Sequence, residues 1–292
     1  MRAFISFLGL VALGFAAIAL FTYPAWLLLH PHFDFPFHRI GERIGMLALL
    51  IAFVGVAKRW NLADRVSLGY GLARRAFVRE LGVGVVIGTA TMLGVVAIMG
   101  ALGLLDWTRL GLLSGGELAK LIVLRALSAL SVALIEETFL RGAMHTAIAR
   151  QSGPRPAVLL TAALYAATHF FASYHISAPQ VTPWSGVALL AGTLHSFAAP
   201  LTIIDAYLAL MAVGVVLGAV RVATGNIAAC IGLHAGWVWI MLVAHELSAP
   251  RRAAPLAFLL SRFDGFVGWL VLAATLAMAV PLWRFYRARL VH

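Results

Sequence analysis

Long apolar segments limit the folds open to this chain more than any other feature of its sequence. A membrane-spanning helix needs about 20 mainly apolar residues. Eight segments meet that requirement: 3–29, 40–58, 80–105, 118–149, 156–173, 201–222, 226–247 and 264–284. No internal repeat, low-complexity tract or linker divides them. The sequence therefore predicts an all-α, polytopic membrane protein, with about eight transmembrane helices in a single membrane domain over residues 1–292.

The composition agrees with a membrane environment. Of the 292 residues, 62% are hydrophobic and only 11% are charged, whereas a soluble domain has about 25% charged residues. A water-soluble fold of this composition would expose large apolar patches. The net charge of +11 comes from basic residues at the ends of apolar segments. No zinc-finger spacing or glycine-rich phosphate loop accompanies them, so the sequence indicates no nucleic-acid partner.

The distribution of Lys and Arg predicts an orientation. With eight spans, thirteen basic residues fall in the loops on one side of the membrane and six on the other. Because cytoplasmic loops are enriched in Lys and Arg, we expect both termini in the cytoplasm. The apolar stretch 187–194, within the connection 174–200, is too short to span a bilayer and predicts a re-entrant or interfacial segment.

Five polar residues interrupt the apolar segments. Glu136, Glu137 and Arg141 lie in the fourth segment, His169 in the fifth and His234 in the seventh. A carboxylate inside a membrane costs at least a few kcal/mol, so it indicates a functional site with a partner. Glu137 and Arg141 are four residues apart and share a helix face, which predicts an ion pair. Glu136 points about 100° away from Glu137 around the same helix.

Helix geometry places these groups at comparable depths. Glu136 and His169 each lie 13 residues from the end of their segment that faces the short connection 150–155. At 1.5 Å per residue this is about 20 Å. His234 lies eight residues, or about 12 Å, into the seventh segment. We therefore expect one carboxylate to be held by Arg141 and the other, Glu136, to meet both histidines inside the helical bundle.

This set of residues is suited to the hydrolysis of a peptide bond. A carboxylate in a low-dielectric pocket can act as a general base toward water. A nearby histidine can orient the water, and a second can stabilise the oxyanion that develops on the attacked carbonyl. Two His and one Glu are also a common set of catalytic zinc ligands. Glu136, His169 and His234 are therefore candidate metal ligands, and the residues alone fit both a zinc site and a metal-free site.

The same residues resemble the motifs of a known family. Glu-Glu-x-x-x-Arg at 136–141, aromatic-x-x-x-His at 165–169 and Gly-Leu-His-Ala-Gly at 232–236 are similar to those of the CPBP family. That family comprises the type II CAAX prenyl endopeptidases and the bacteriocin-processing or immunity proteins of the Abi group. The resemblance covers about residues 120–245, which makes 118–247 the expected catalytic core.

The resemblance implies an intramembrane protease that cleaves a membrane-associated protein. Within it, Glu136 would activate water, Glu137 and Arg141 would support it, His169 would join in water activation and His234 would stabilise the oxyanion. The family has been described both as zinc-dependent and as metal-free. Its distribution implies a multi-pass protein of a bacterial inner membrane.

Two positions depart from the family pattern and leave alternatives open. Tyr165 replaces the usual Phe, and Val238 replaces the Asn or Asp often found four residues after the last histidine. If that amide helps to hold the oxyanion, Asn226 or another donor has to substitute. Val238 therefore favours a catalytically silent scaffold or immunity protein as the alternative function. An ion-coupled transporter is a weaker alternative, because such folds commonly contain repeats and this sequence has none.

Overall fold

Helices make up almost all of the ordered structure. The computed structural model describes residues 1–33, 35–171 and 174–289. The helices within these residues are α1 Arg2–Leu29, α2 Phe37–Arg59, α3 Arg74–Ala101, α4 Gly115–Glu137, α5 His145–Ser152, α6 Pro154–Thr168, α7 Ser185–Thr193, α8 Ile204–Thr224, α9 Ala228–Leu247 and α10 Trp269–Ala288. Two short strands, β1 Leu105–Asp106 and β2 Ala249–Pro250, pair antiparallel.

Seven helices among the described residues are long and apolar enough to cross a membrane, by length and composition. They are α1, α2, α3, the continuous helix Gly115–Ser152, α8, α9 and α10. The all-α, polytopic membrane fold is therefore confirmed.

The fifth predicted segment, 156–173, does not reach spanning length in the described residues. Its helix, α6, has 15 residues and ends at Thr168. That is about 22 Å at 1.5 Å per residue, compared with about 30 Å of hydrocarbon. Ala172 and Ser173 lie outside the described residues. Helix α7 has nine residues, so the connection 174–200 contains no helix of spanning length, in agreement with its short apolar stretch.

The chain divides into two compact units by its internal contacts. Unit 1 comprises Met1–Ala63 and Ala167–Ile203, and unit 2 comprises Asp64–Ala166 and Ile204–His292. Within unit 1, α1 packs against α2 and α7. A Cβ added at Gly186 of α7 would lie 2.3 Å from the carbonyl oxygen of Ala19 in α1, so the two backbones are in contact there. The expectation of a single membrane domain stays a prediction.

In unit 2, helices α3 and α9 pack with their backbones in contact through two pairs of glycines. A Cβ added at Gly88 would lie 2.4 Å from the carbonyl oxygen of Leu233, and one added at Gly232 would lie 2.2 Å from that of Leu81. A Cβ at Gly84 or Gly236 would also lie within 2.7 Å of backbone atoms of the other helix. Small residues spaced four apart allow this close approach of membrane helices. The pairing fixes both the height and the rotation of α9.

Helix α4 packs on the adjacent side of α9 through a narrow strip. Ala129, Ala133 and Glu137 are its buried residues and follow one another at intervals of four, so they form one stripe along the helix. Ala133 packs with Ile227, at the start of α9, in a small apolar cluster. The alanines bring the two helices close together. The third position of the stripe is a carboxylate, and it therefore faces α9.

Candidate active site

The helix that contains the double glutamate has an unusual turn at the motif. Helix α4 ends at Glu137, the seven residues Thr138–Met144 are π-helical, and α5 continues from His145. The three parts form one helix, Gly115–Ser152, called here the motif helix. A π-helical turn is wider than an α-helical turn and is frequent at functional sites. It begins directly after Glu137 and includes Arg141.

Glu137 is fully buried and has two charged or polar partners. Its Oε1 accepts a hydrogen bond from Nη1 of Arg141 at 2.9 Å, and the same oxygen lies 2.8 Å from Nδ1 of His234. The side chains of Glu137 and Arg141 are both 0% exposed. A buried carboxylate requires such partners, because its desolvation costs several kcal/mol. The pairing of Glu137 with Arg141 is the one that their spacing predicts.

Arg141 is held from three directions besides Glu137. Its Nη2 donates to the carbonyl oxygen of Gly214 in α8 at 3.2 Å, and its guanidinium lies 4.8 Å from the ring centroid of Tyr165 in α6. Its own carbonyl oxygen accepts from Nε of Arg221 at 3.0 Å. A Cβ added at Gly214 would lie 2.8 Å from Ala162, so the glycine keeps α8 close to α6 beside the guanidinium.

His234 lies between the two glutamates. Its Nδ1 contacts Glu137, and its Nε2 lies 3.9 Å from Oε2 of Glu136. The Tyr165 ring meets the imidazole edge to face, at 5.7 Å between centroids. An ionised carboxylate only accepts hydrogen bonds, so we assign the Nδ1 proton to the bond with Glu137. Nε2 is then directed toward Glu136, whose side chain is 33% exposed.

The glycines around His234 explain its direction. Gly232 and Gly236 both face α3, where a Cβ would overlap backbone atoms. His234 lies two residues from each, which is about 200° around the helix. The histidine therefore points away from α3 and toward the motif helix. The Gly-Leu-His-Ala-Gly motif thus combines a helix-packing surface with a site residue.

The loop 64–73 contacts the helices on both sides of the site. The hydroxyl of Tyr70 lies 2.5 Å from Oγ1 of Thr138, directly after the double glutamate. A Cβ added at Gly142 would lie 2.7 Å from the carbonyl oxygen of Leu68, so the loop backbone rests on the π-helical turn. The carbonyl oxygen of Gly69 accepts from the backbone N–H of Ile227 at 3.0 Å. The loop therefore holds the motif helix and the start of α9 together.

A polar cluster holds the same loop against the end of the motif helix. Thr146 donates to the carbonyl oxygen of Ser67 at 2.8 Å, and Nη2 of Arg150 donates to the Ser67 hydroxyl at 2.6 Å. Ser67 also donates to Asp64 through both its hydroxyl and its backbone N–H. These hydrogen bonds hold the pKa of the Asp64 carboxyl below its usual range.

His169 and Asn226 are two further residues that the sequence suggests for the site. His169 follows the last residue of α6 and belongs to unit 1, so its place in the site stays a prediction. Asn226 donates from Nδ2 to the carbonyl oxygen of Thr224 and accepts at Oδ1 from the N–H of Ala228, both at 2.9 Å. Its amide therefore joins the end of α8 to the start of α9, which leaves no support for it as a substitute oxyanion donor.

The donor set for a metal is incomplete within unit 2. A catalytic zinc site usually has three protein ligands. Among the described residues of unit 2, no group of three His, Cys, Asp or Glu side chains could hold a metal ion. Glu136 and His234 supply two donors, and one nitrogen of His234 is already bonded to Glu137. A zinc site would need a further ligand, and His169 is the one that the sequence suggests.

The comparison with known proteins agrees with the motifs. Residues 118–240 match the family model described as type II CAAX prenyl endopeptidase Rce1-like. The matched segment contains all five residues predicted from the sequence. No curated protein and no solved structure shows significant similarity to the chain.

Proposed function

This chain belongs to the CPBP family through its Rce1-like segment 118–240, and we propose that it is an intramembrane endopeptidase. In this proposal it hydrolyses a peptide bond of a membrane-associated protein with water activated by glutamate and histidine. The observation that carries the proposal is the position of His234, between a glutamate with two partners and a partly exposed one.

The two glutamates have different parts in the proposed reaction. Glu137 is fully buried and engaged by Arg141 and His234, so it positions and balances charge. Glu136 acts as the general base. It takes a proton from water, the resulting hydroxide bonds to the carbonyl carbon, and the same proton passes to the departing amine as the C–N bond breaks. Such proton transfer contributes about 10²–10⁴-fold to a rate.

His234 stabilises the oxyanion in this scheme. With Nδ1–H donated to Glu137, a protonated Nε2 can donate to the oxygen of the attacked carbonyl. Tyr165, against the imidazole edge, helps to hold the ring in place.

His169 joins Glu136 in water activation in this proposal, as the family resemblance implies. The donor set of unit 2 does not form a three-ligand zinc site, so no step above depends on a metal. Zinc bound by Glu136, His169 and His234 is the alternative. Metal analysis of purified protein, together with activity after chelation, discriminates between the two chemistries.

We further propose that the connection 153–203, which contains α6, makes an eighth crossing of the membrane, because Arg221 near the end of α8 bonds to Arg141 and Thr146 near the end of the motif helix. Both termini are then cytoplasmic in this proposal, and the protein lies in a bacterial inner membrane. The excess of basic residues on one side supports the orientation. Cleavage would then take place in the cytoplasmic half of the bilayer, and the substrate would be a membrane-associated protein.

The test compares the membrane proteomes of cells that express the wild type or Glu136→Gln. We expect at least one membrane protein to lose its terminal processing in the variant, while the variant still inserts and accumulates. Glu246→Gln is the matched control, because it makes the same change to a carboxylate that pairs with Arg125 in the same unit and should leave processing intact. Unchanged processing in Glu136→Gln cells would contradict the proposed protease activity and favour a catalytically silent scaffold.

A further inference from the structure

Arginines gather where the start of α3 meets the end of α10. Arg289 Nη2 bonds to Oε1 of Glu80 at 2.7 Å, and Arg79 Nε lies 3.5 Å from the same oxygen. The six arginines of this region, called here the arginine surface, are Arg74, Arg75, Arg79, Arg284, Arg287 and Arg289. Among the described residues, Glu80 is the single carboxylate paired with them. The surface therefore has a large uncompensated positive charge.

Aromatic side chains hold two of these guanidinium groups in place. Arg287 lies over the ring of Trp283 at 4.9 Å, and Arg289 lies over the ring of Phe285 at 5.2 Å. Trp283 is 37% exposed and Phe285 is 39% exposed. Rings that are partly exposed beside cationic groups are typical of the level of lipid headgroups. Arg287 and Arg289 are thus positioned by neighbouring rings of α10.

The arginine surface lies at the ends of two candidate spans. Helix α3 begins at Arg74 and α10 ends at Ala288, and both helices meet the length and hydropathy of a transmembrane helix. Chain geometry therefore places these ends at the membrane–water boundary. Arg74, Arg75 and Arg79 occupy the first two turns of α3, where the helix dipole disfavours cations. An external anion would compensate both the dipole and the mutual repulsion of the arginines.

We propose that the arginine surface binds the headgroup phosphates of anionic phospholipids. Guanidinium groups match phosphate oxygens in bidentate geometry, and each basic residue near an anionic membrane surface adds to the attraction. The aromatic rings lie beside the guanidinium groups at the depth where headgroups meet acyl chains. The proposal concerns the contact between α3 and α10 and is independent of proteolysis.

The test is the thermal stability of the full-length protein in nanodiscs. Discs of phosphatidylcholine alone are compared with discs that also contain increasing fractions of phosphatidylglycerol. We expect phosphatidylglycerol to raise the Tm of the wild type in a saturable way. In the triple variant Arg74→Gln, Arg75→Gln, Arg287→Gln, the apparent lipid affinity should fall by about a hundredfold, and most of the rise in Tm should disappear.

A charge-matched variant separates a specific surface from general attraction. Arg109→Gln, Arg251→Gln, Arg262→Gln removes three exposed arginines from the loops at the opposite ends of the same helices and should keep the rise in Tm. Equal loss in both triple variants, or no rise in the wild type, would overturn the proposal. A rise of the same size with inorganic phosphate in detergent would also overturn it, because the ligand would then be a free anion.

Discussion

At the residue scale, the two nitrogens of His234 have separable roles, because each faces a different glutamate. The amide nitrogen of an asparagine can occupy the place of Nδ1, and that of a glutamine the place of Nε2. We expect His234→Asn to keep the hydrogen bond to Glu137 and hence most of the stability, while processing is lost. We expect His234→Gln to lose that bond and to destabilise the protein by about 1.5–3 kcal/mol.

The measurements are the Tm of each purified variant and the processing of a substrate identified in the proteomic comparison. Equal stability of the two variants would contradict the assignment of Nδ1 to Glu137. Full activity of His234→Asn would show that the Nε2 position takes no part in catalysis. The pair therefore tests structure and chemistry separately.

The buried ion pair is the second residue-scale case. Removing Arg141 leaves Glu137 with His234 as its one remaining partner among the described residues. We expect Arg141→Met to destabilise the protein by about 3–5 kcal/mol, as for other buried pairs that lose one partner. The double variant Glu137→Gln, Arg141→Met should recover much of this loss, because no unpaired charge remains.

Processing should stay lost in the double variant, since the group that bonds Nδ1 of His234 has changed. Denaturation of the wild type, both single variants and the double variant gives the coupling energy between the two side chains. Additive losses would mean that Glu137 and Arg141 are stabilised independently. Recovery of processing with recovered stability would mean that the ion pair serves folding alone.

At the element scale, the contact of α3 with α9 sets the position of His234. We expect Gly88→Ala to destabilise the protein by about 1–3 kcal/mol, because its Cβ would lie 2.4 Å from the carbonyl oxygen of Leu233. Leu233 precedes His234, so processing should fall as well. Gly94→Ala, in the same helix, is the control, since a Cβ there has nothing within 4 Å.

Gly94→Ala should keep both Tm and processing, and replacement of a helical glycine by alanine even favours the helix. The same assays of stability and processing are applied to both alanine variants. A neutral Gly88→Ala would show that α9 can shift without moving its histidine out of position. The comparison thus asks whether close helix packing positions the imidazole.

Much of the site can be predicted from the sequence, because glutamate, arginine and histidine are rare in apolar helices. Spacing alone predicted the pair of Glu137 with Arg141. The sequence does not predict the bond between His234 and Glu137, because depth along a helix does not give the rotation of the neighbouring helix. The glycine pairs that set this rotation, Gly84 with Gly88 and Gly232 with Gly236, are visible in the sequence as small residues four apart. Tyr70 has no such signal, since its partner Thr138 is 68 residues away.

The sequence predicts the all-α membrane fold, but it predicts eight spanning helices where the described residues contain seven. Apolar content identified every helix of spanning length, and the ends of these helices mostly differ from the predicted ones by a few residues. Hydropathy predicts a span over 156–173 because it measures composition and does not detect where a helix ends. The π-helical turn Thr138–Met144 has no compositional signature. Its residues contact Leu68 and Gly214, which lie far away in the sequence.

At the scale of the whole molecule, the hydrogen bonds of unit 2 show which of its loops lie at the same end of its helices. The loop 64–73 bonds to the end of the motif helix and to the start of α9. On the other side, β1 after α3 pairs with β2 after α9. The first side has ten arginines, Arg65, Arg74, Arg75, Arg79, Arg150, Arg155, Arg221, Arg284, Arg287 and Arg289, and the second has four, Arg109, Arg251, Arg252 and Arg262. This asymmetry makes the first side the expected cytoplasmic side.

The chain is well suited to a direct test of this orientation, because its single cysteine, Cys230, is fully buried. We expect Arg109→Cys to react with a membrane-impermeant thiol reagent in intact cells, and Arg65→Cys to react only after the membrane is permeabilised. The unsubstituted chain gives the background. The Glu137 cluster lies nearer the arginine-rich side, since Tyr70 of the loop 64–73 reaches Thr138. The opposite labelling pattern would therefore move the proposed hydrolysis to the outer half of the membrane and exclude cytoplasmic substrates.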